Sequence, residues 1–506
     1  MRTTRALIAA LAMTTLTSLA ACSSDSSTTT TASTTSSSEP PGDARATARG
    51  NLYDTTWPVP TADSWRTSSI ATGGLPDDLD GVDLRADSVE LGAAPIFGIT
   101  YDEHAIFVLG GAPHLLDLFT KAQADALPTG TDLLAATTTE TPATAATNPY
   151  VARIDPTTLE ATILDLPKGT TPNYPGSLVA HQNGKLYAVA TARLFEIDPE
   201  SFAITRSLDL PLNSGTPSST IYNTLQVSAR NGDLLLKTAP QQGTGLLVSV
   251  DPEELLVRSQ LETALSTARM TALVEDGTEF VYLPGETTTL RFSVSDDGFT
   301  PDPSWSQPYR TADDGTTPGV AMTPTGHHET VVFPNNNTVL LGVSAPLELF
   351  WQSITDPTAG VSRVNATSTD APGGSFPPPP ADPFASSVVV AADAVNGRLA
   401  AWHIGDDGSL EQLWVTDQYA VSIGAAIVSD QNRLYTDDQE CDADGTNCTL
   451  FLVVVDLMTG EELTRIEVAG TQPSIGRIFI GPDAVYYIAT QGEGGNGYMT
   501  RITAVG

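Results

Sequence analysis

The chain has 506 residues, with 24 lysines and arginines against 60 aspartates and glutamates, for a formal net charge of -36 at pH 7. That balance excludes a nucleic-acid partner, whose phosphates demand a basic surface, and works against adhesion to anionic lipid head groups. In chain order, Arg2 and Arg5 come first and precede an apolar stretch from Ala6 to about Leu19. The stretch is too short to span a bilayer and reads as an export signal. It ends in Leu19-Ala20-Ala21-Cys22, and residues 23–50 are then dominated by Ser, Thr, Ala, Asp and Pro. A segment of that kind buries too little apolar surface to offset its ordering entropy, so it reads as a disordered tether.

The Leu19–Cys22 segment resembles the bacterial lipobox. The resemblance implies cleavage after residue 21 and lipidation of Cys22, which would anchor the exported chain to the cell envelope. The membrane would be the outer face of the cytoplasmic membrane or the outer membrane. Of the two other cysteines, Cys441 and Cys448 stand close enough in an exported chain to be read as a disulfide.

The body is read from its repeats. An apolar strand ending in Asp recurs, as in Val151–Pro156, Leu194–Pro199, Leu247–Pro252 and Val453–Gly460. The series Asp155, Asp198, Asp251, Asp296, Asp356, Asp406, Asp456 steps by about 43 to 60 residues. Ahead of these phrases lie hairpins turning on Asn183-Gly184, Asn231-Gly232 and Asp276-Gly277. Both turn positions must tolerate positive φ, which Asn, Asp and Gly do. Four antiparallel strands per unit of about 45 residues predict an all-β chain folded as a β-propeller. Units starting near residues 94, 177, 225, 271, 320, 387, 425 and 476 give eight blades. Seven is the alternative count, since the units near 320 and 387 are weak. The last unit runs out after three strands, and the alternating segment Val82–Leu91 is expected to supply its outer strand and close the ring.

The expected domains are thus a signal at 1–22, a tether at 23–50, an N-terminal extension packing on the propeller at 51–81, and the propeller at 82–506. Insertions are expected at about 111–148, with a helix candidate at Leu115–Leu127, and at 359–383, which carries four consecutive prolines and reads as a surface loop.

The segment Val455-Asp456-Leu457-Met458-Thr459-Gly460-Glu461-Glu462-Leu463 resembles the Asp-x-x-Thr-Gly-x-x-x-Trp docking motif of the quinoprotein-like propellers, without its closing tryptophan. The Ile-Asp-Pro copies resemble the related surface-layer repeats. The resemblance covers most of residues 94–506. Enzymes of that class hold pyrroloquinoline quinone beside calcium under a ring of adjacent cysteines, and this chain has no Cys-Cys pair. The class also includes a lipoprotein propeller that helps to assemble outer-membrane β-barrels.

No catalytic motif stands out. Gly492–Gly497 fits Gly-x-Gly-x-x-Gly, but a strand rather than a helix follows, so it reads as a hairpin loop. His327-His328 on a strand would point to opposite faces. Asp442, Asp444 and Asn447 within the cysteine loop are weak candidate calcium ligands. By the repeat register, Asn173, Tyr174, Tyr222, Asn223, Arg269, His327, Tyr419 and Ser474 lead into the innermost strands and are candidate binding residues at the channel mouth. The expected function is an envelope-anchored binding or scaffold module for a protein or glycan. The alternative is a metal- or quinone-dependent enzyme, lactonase-like hydrolase or dehydrogenase, with its site in the channel.

Overall fold

The computed structural model describes residues 41–111, 148–169, 171, 174–240, 243–266, 268–285, 287–305, 307–308, 323–324, 330–334, 347–354, 360–366, 379–393, 396–405, 409–418, 424–442, 448–490 and 496–505. Cys22, the Leu115–Leu127 helix candidate and nearly all of the 111–148 insertion lie outside them.

Blade 2 shows how sequence becomes sheet. Its strands Pro175–Ala180, Leu186–Ala190, Arg193–Asp198 and Ala203–Asp209 pair antiparallel in chain order. The first two are buried along their whole length, whereas the outermost is largely exposed. Side chains alternate between the two faces of a strand, and here each face meets a neighbouring blade. Leu178 and Ala180 pack with Ile96, Ile99 and Phe107 of blade 1. Val179, between them, packs with Leu225, Leu234 and Val248 of blade 3. Each such buried side chain contributes about 1.5–3 kcal/mol, so neither face of a blade is stable without its neighbour.

Six of the seven sheets hold one such quartet. The seventh is eight-stranded and consists of two quartets joined by a single parallel bridge between Phe97 and Gly476. Eight quartets are therefore present among the described residues. Their first strands begin at Pro95, Pro175, Tyr222, Thr271, Thr323, Ala381, Ala426 and Gln472. In the eighth, Asp83–Ala93 pairs antiparallel with the final strand Asn496–Val505, so the two ends of the propeller share one sheet.

The recurring aspartates are turn-builders. Asp155 Oδ1 accepts from the Thr157 and Thr158 amides, Asp251 Oδ1 from those of Glu253 and Glu254, and Asp456 Oδ1 from those of Met458 and Thr459. A short carboxylate that bonds its own backbone two and three residues on fixes the third-to-fourth strand turn.

Three expectations are corrected. Residues 41–49, assigned to the tether, form the helix Pro41–Arg49. Proline suits the first turn, and alanine and arginine are strong helix formers. Ala48 of this helix is fully buried against Trp65, Leu273 and Phe384. The 359–383 insertion contains the outer strand of blade 5, Val361–Asn365, and the first strand of blade 6, Ala381–Asp382. Blade 6 consequently starts at 381, and Val388–Asp393, taken for its first strand, is its second.

Candidate functional site at the propeller axis

The first strands of neighbouring blades meet at the axis. Phe97 bridges Gly476, and a Cβ on Gly176 would have no room against the Tyr222 carbonyl of blade 3. Into this space runs the segment from Asn51 to Gly74. Its carbonyls take the blades in turn. Trp57 accepts from Thr100 of blade 1, Pro58 from Ala180 of blade 2 and Ser64 from Ala272 of blade 4. Thr67 then accepts from Ala381 of blade 6 and Ser68 from Ile427 of blade 7, while the Gly74 amide donates to Gly481 beyond the first strand of blade 8. Side chains complete the circuit, with Ser64 Oγ donating to the Val227 carbonyl of blade 3 and Thr323 Oγ1 of blade 5 donating to the Arg66 carbonyl. Ser69–Ile70 adds as a parallel strand to Ala426–Val428. Residues 57–70 are buried almost throughout, including Trp57 and Trp65. So tight a winding places Thr61, Ala62, Arg66 and Ser68 at positive φ, a conformation that non-glycine residues adopt only when their surroundings impose it.

The helix is fastened over the same region. Arg45 donates to Asp382 of blade 6 at 3.3 Å and to Ser429 Oγ beside blade 7 at 3.1 Å. Arg49 donates to the carbonyls of Thr55 and Thr56. Asp63, 2% exposed, accepts from the Thr67 amide at 3.1 Å and from its hydroxyl. Burial pushes its carboxyl up to about 6, against the opposing pull of the Thr67 bonds and of Arg49 and Arg45.

At the leading ends of the first strands sits Arg269. Its guanidinium donates to the carbonyls of Gly176 in blade 2 and Asn223 in blade 3, and lies 4.7 Å over the Phe97 ring of blade 1. One arginine just ahead of blade 4 thus touches three other blades. Arg66, 6% exposed, is within electrostatic reach of it. Burial and then Arg269 pull the Arg66 guanidinium down to about 9, opposed by Asp63. Lys237 is fully buried, donates to the Thr238 and Ser266 carbonyls at 2.7 and 2.8 Å, and is held well below the usual lysine range by burial and by Arg269.

Of the residues expected at the mouth, the structure brings Arg269, Asn223 and Tyr174 together. Tyr222 is corrected: strand alternation turns its side chain into the core between blades, where it is 1% exposed and its hydroxyl donates to the Pro211 carbonyl at 2.7 Å. Asn173, His327 and Tyr419 lie outside the described residues, as does the Ser474 side chain. Cys441 and Cys448 are joined in a disulfide where the second and third strands of blade 7 meet. Asp442 is exposed beside it, and Asp444 and Asn447 lie outside the described residues. Sequence reading missed Arg66 and Lys237. The signals were a Trp-Pro-rich run at residues 57–65 and one lysine at the end of an apolar Leu-Leu-Leu strand.

Four-stranded antiparallel blades packed face to face, with their first strands gathered around one axis, define the class: this is a β-propeller. No protein-family model matches the chain, and no curated protein does. Among solved structures it is similar to the quinohemoprotein alcohol dehydrogenase of Comamonas testosteroni, with a TM-score of 0.58 and 12% identity over 92% of this chain and 82% of that one. It is also similar to the quinohemoprotein alcohol dehydrogenase ADHIIG of Pseudomonas putida HK5, with a TM-score of 0.56 and 10% identity over 91% and 81% of the two chains. Similarity at that level of identity speaks for the fold. A quinone seated on calcium would need carboxylates and other oxygen donors converging on the ion. Among the described residues no three of His, Cys, Asp and Glu converge as metal ligands, and the mouth carries the Arg269 guanidinium.

Proposed function

We propose that the chain is an exported, lipid-anchored binding or scaffold propeller of the bacterial cell envelope, which receives a protein or glycan partner at the mouth of its axis. The observation that carries this reading is the winding of residues 51–74 past the first strands of all eight blades. The segment ties the blades together along the axis and leaves recognition to the leading ends of the strands, where Arg269, Asn223 and Tyr174 gather. The Arg2–Cys22 sequence supports the anchor. Among the described residues no helix is long and apolar enough to cross a membrane.

Two measurements test it. Expressed full-length, the protein should enter the detergent phase on Triton X-114 partition, and Cys22→Ser should move it to the aqueous phase. Cross-linking on intact cells, and glycan arrays probed with the purified chain, should recover a partner that Arg269→Gln weakens. Blank arrays together with an empty cross-linking profile would overturn the reading.

A further inference from the structure

Arg66 is a buried cation without a counter-charge of its own. Its Nε is buried with no hydrogen-bond partner, and its side chain makes no ion pair among the described residues. The one carboxylate acting on it, Asp63, is bonded twice by Thr67 and shared with Arg45 and Arg49. Arg269 beside it is bonded to carbonyls and an aromatic ring, and Lys237 to carbonyls only. Burying a charge without a paired opposite charge is strongly unfavourable. Yet a chain carrying -36, with acidic side chains in excess, places two guanidiniums within electrostatic reach of one another.

We propose that Arg66 and Arg269 form an anion-binding site in the propeller axis, which takes a carboxylate or phosphate group of a ligand entering from the mouth. The planar fork of a guanidinium matches both groups. Arg269 is preorganised by its two carbonyl bonds and by the Phe97 ring, so little side-chain freedom is lost on binding. Arg66 supplies the unfilled donor. Lys237 is held on its two carbonyls and does not reach for the ligand. The site rests on the reading of the mouth as the recognition end, but not on the anchor or on the identity of the partner.

The test is calorimetric titration of the purified full-length protein with inorganic phosphate and with citrate, at ionic strength held constant by sodium chloride. Saturable binding of either probe is expected, and the tighter one identifies the group. Arg66→Gln and Arg269→Gln should each weaken it about 10- to 100-fold, as for loss of one charge-assisted hydrogen bond. Arg66→Lys should recover part of the loss. Arg193→Gln, at a solvent-facing ion pair with Asp209, should bind as the unaltered protein does. Circular dichroism and the thermal midpoint establish that each variant is folded. If Arg66→Gln does not fold, Arg269→Gln and Arg269→Lys decide the matter. No saturable binding beyond the chloride control, or equal weakening by Arg193→Gln, would overturn the site. Anion binding with no envelope partner would instead leave the site standing and remove the function proposed above.

Discussion

The indole ring of Trp414, in blade 6, lies where a Cβ on Gly460, in blade 7, would stand: the built atom comes within 2.6 Å of Cδ2. The indole nitrogen donates to the Leu457 carbonyl at 2.9 Å in the same turn. Gly460 has φ +75°, which glycine adopts freely and other residues do not. Trp414 of one blade thus docks on the Asp456–Gly460 turn of the next.

Gly460→Ala should therefore be costly twice over, through left-handed strain and through displacement of the ring. A loss of about 2–4 kcal/mol is expected, read as a lower urea midpoint at unchanged slope. Trp414→Phe, which keeps most of the packing and loses the hydrogen bond, should lose about 1–2 kcal/mol. A Gly460→Ala midpoint equal to that of the unaltered protein would show that the ring does not hold the two blades together.

Trp57 is 2% exposed, and its amide and carbonyl both bond to Thr100. Trp57→Ala should leave a cavity at the axis and cost about 3–5 kcal/mol. Differential scanning calorimetry would show a lower midpoint. An unchanged midpoint would mean that the winding segment is not part of the cooperative core.

Asp63 gives a pH dependence with a definite sign. Its carboxyl titrates near 6 in the folded protein and near 3.8 when unfolded. Between those values the folded state holds more protons, so this group's stabilisation is complete below about pH 4 and is lost as pH rises through 6. The difference is on the order of 3 kcal/mol. Other carboxylates act oppositely. Asp198, for instance, is held low by its bonds to Lys185 and Ser201, so the comparison must be with Asp63→Asn. Subtracting the variant's stability curve from that of the unaltered protein should leave a decline between pH 4 and 6. Parallel curves would contradict it.

The Cys441–Cys448 bridge closes a loop of small sequence separation, seven residues, so its entropic effect is modest. Replacing both cysteines with serine should cost up to about 2 kcal/mol. The loss should stay confined to blade 7, whose second and third strands are paired along nine positions. Hydrogen exchange would show faster opening near residues 439–450 and no change at blade 2. Global unfolding of the variant at room temperature would refute this.

What was legible in the sequence was what depends on neighbours in the chain. The Asn-Gly and Asp-Gly turns appear with positive φ at Gly184, Gly232, Asp276 and Gly277, because the turn needs only its own residues. The repeated aspartates mark turns for the same reason. Arg269 was placed by the register of the repeat. The winding segment was not legible as such, because its partners are eight strands scattered over the rest of the chain and it has no period of its own. Arg66 went unseen with it. Tyr222 was misplaced by a single step of strand alternation, which decides whether a side chain meets the axis or the adjoining blade.

The first strand of the propeller domain is also the outermost strand of its last blade, and the central segment precedes both. Residues 83–93 are therefore made early, yet their hydrogen-bonding partners, Asn496–Val505, lie about four hundred residues further on. That strand must wait for its partner while the intervening blades are made. A chain built this way cannot complete its earliest propeller strand before its last blade is present. Any truncation from the C-terminal side that removes Asn496–Val505 therefore strips a partner from residues 83–93 as well.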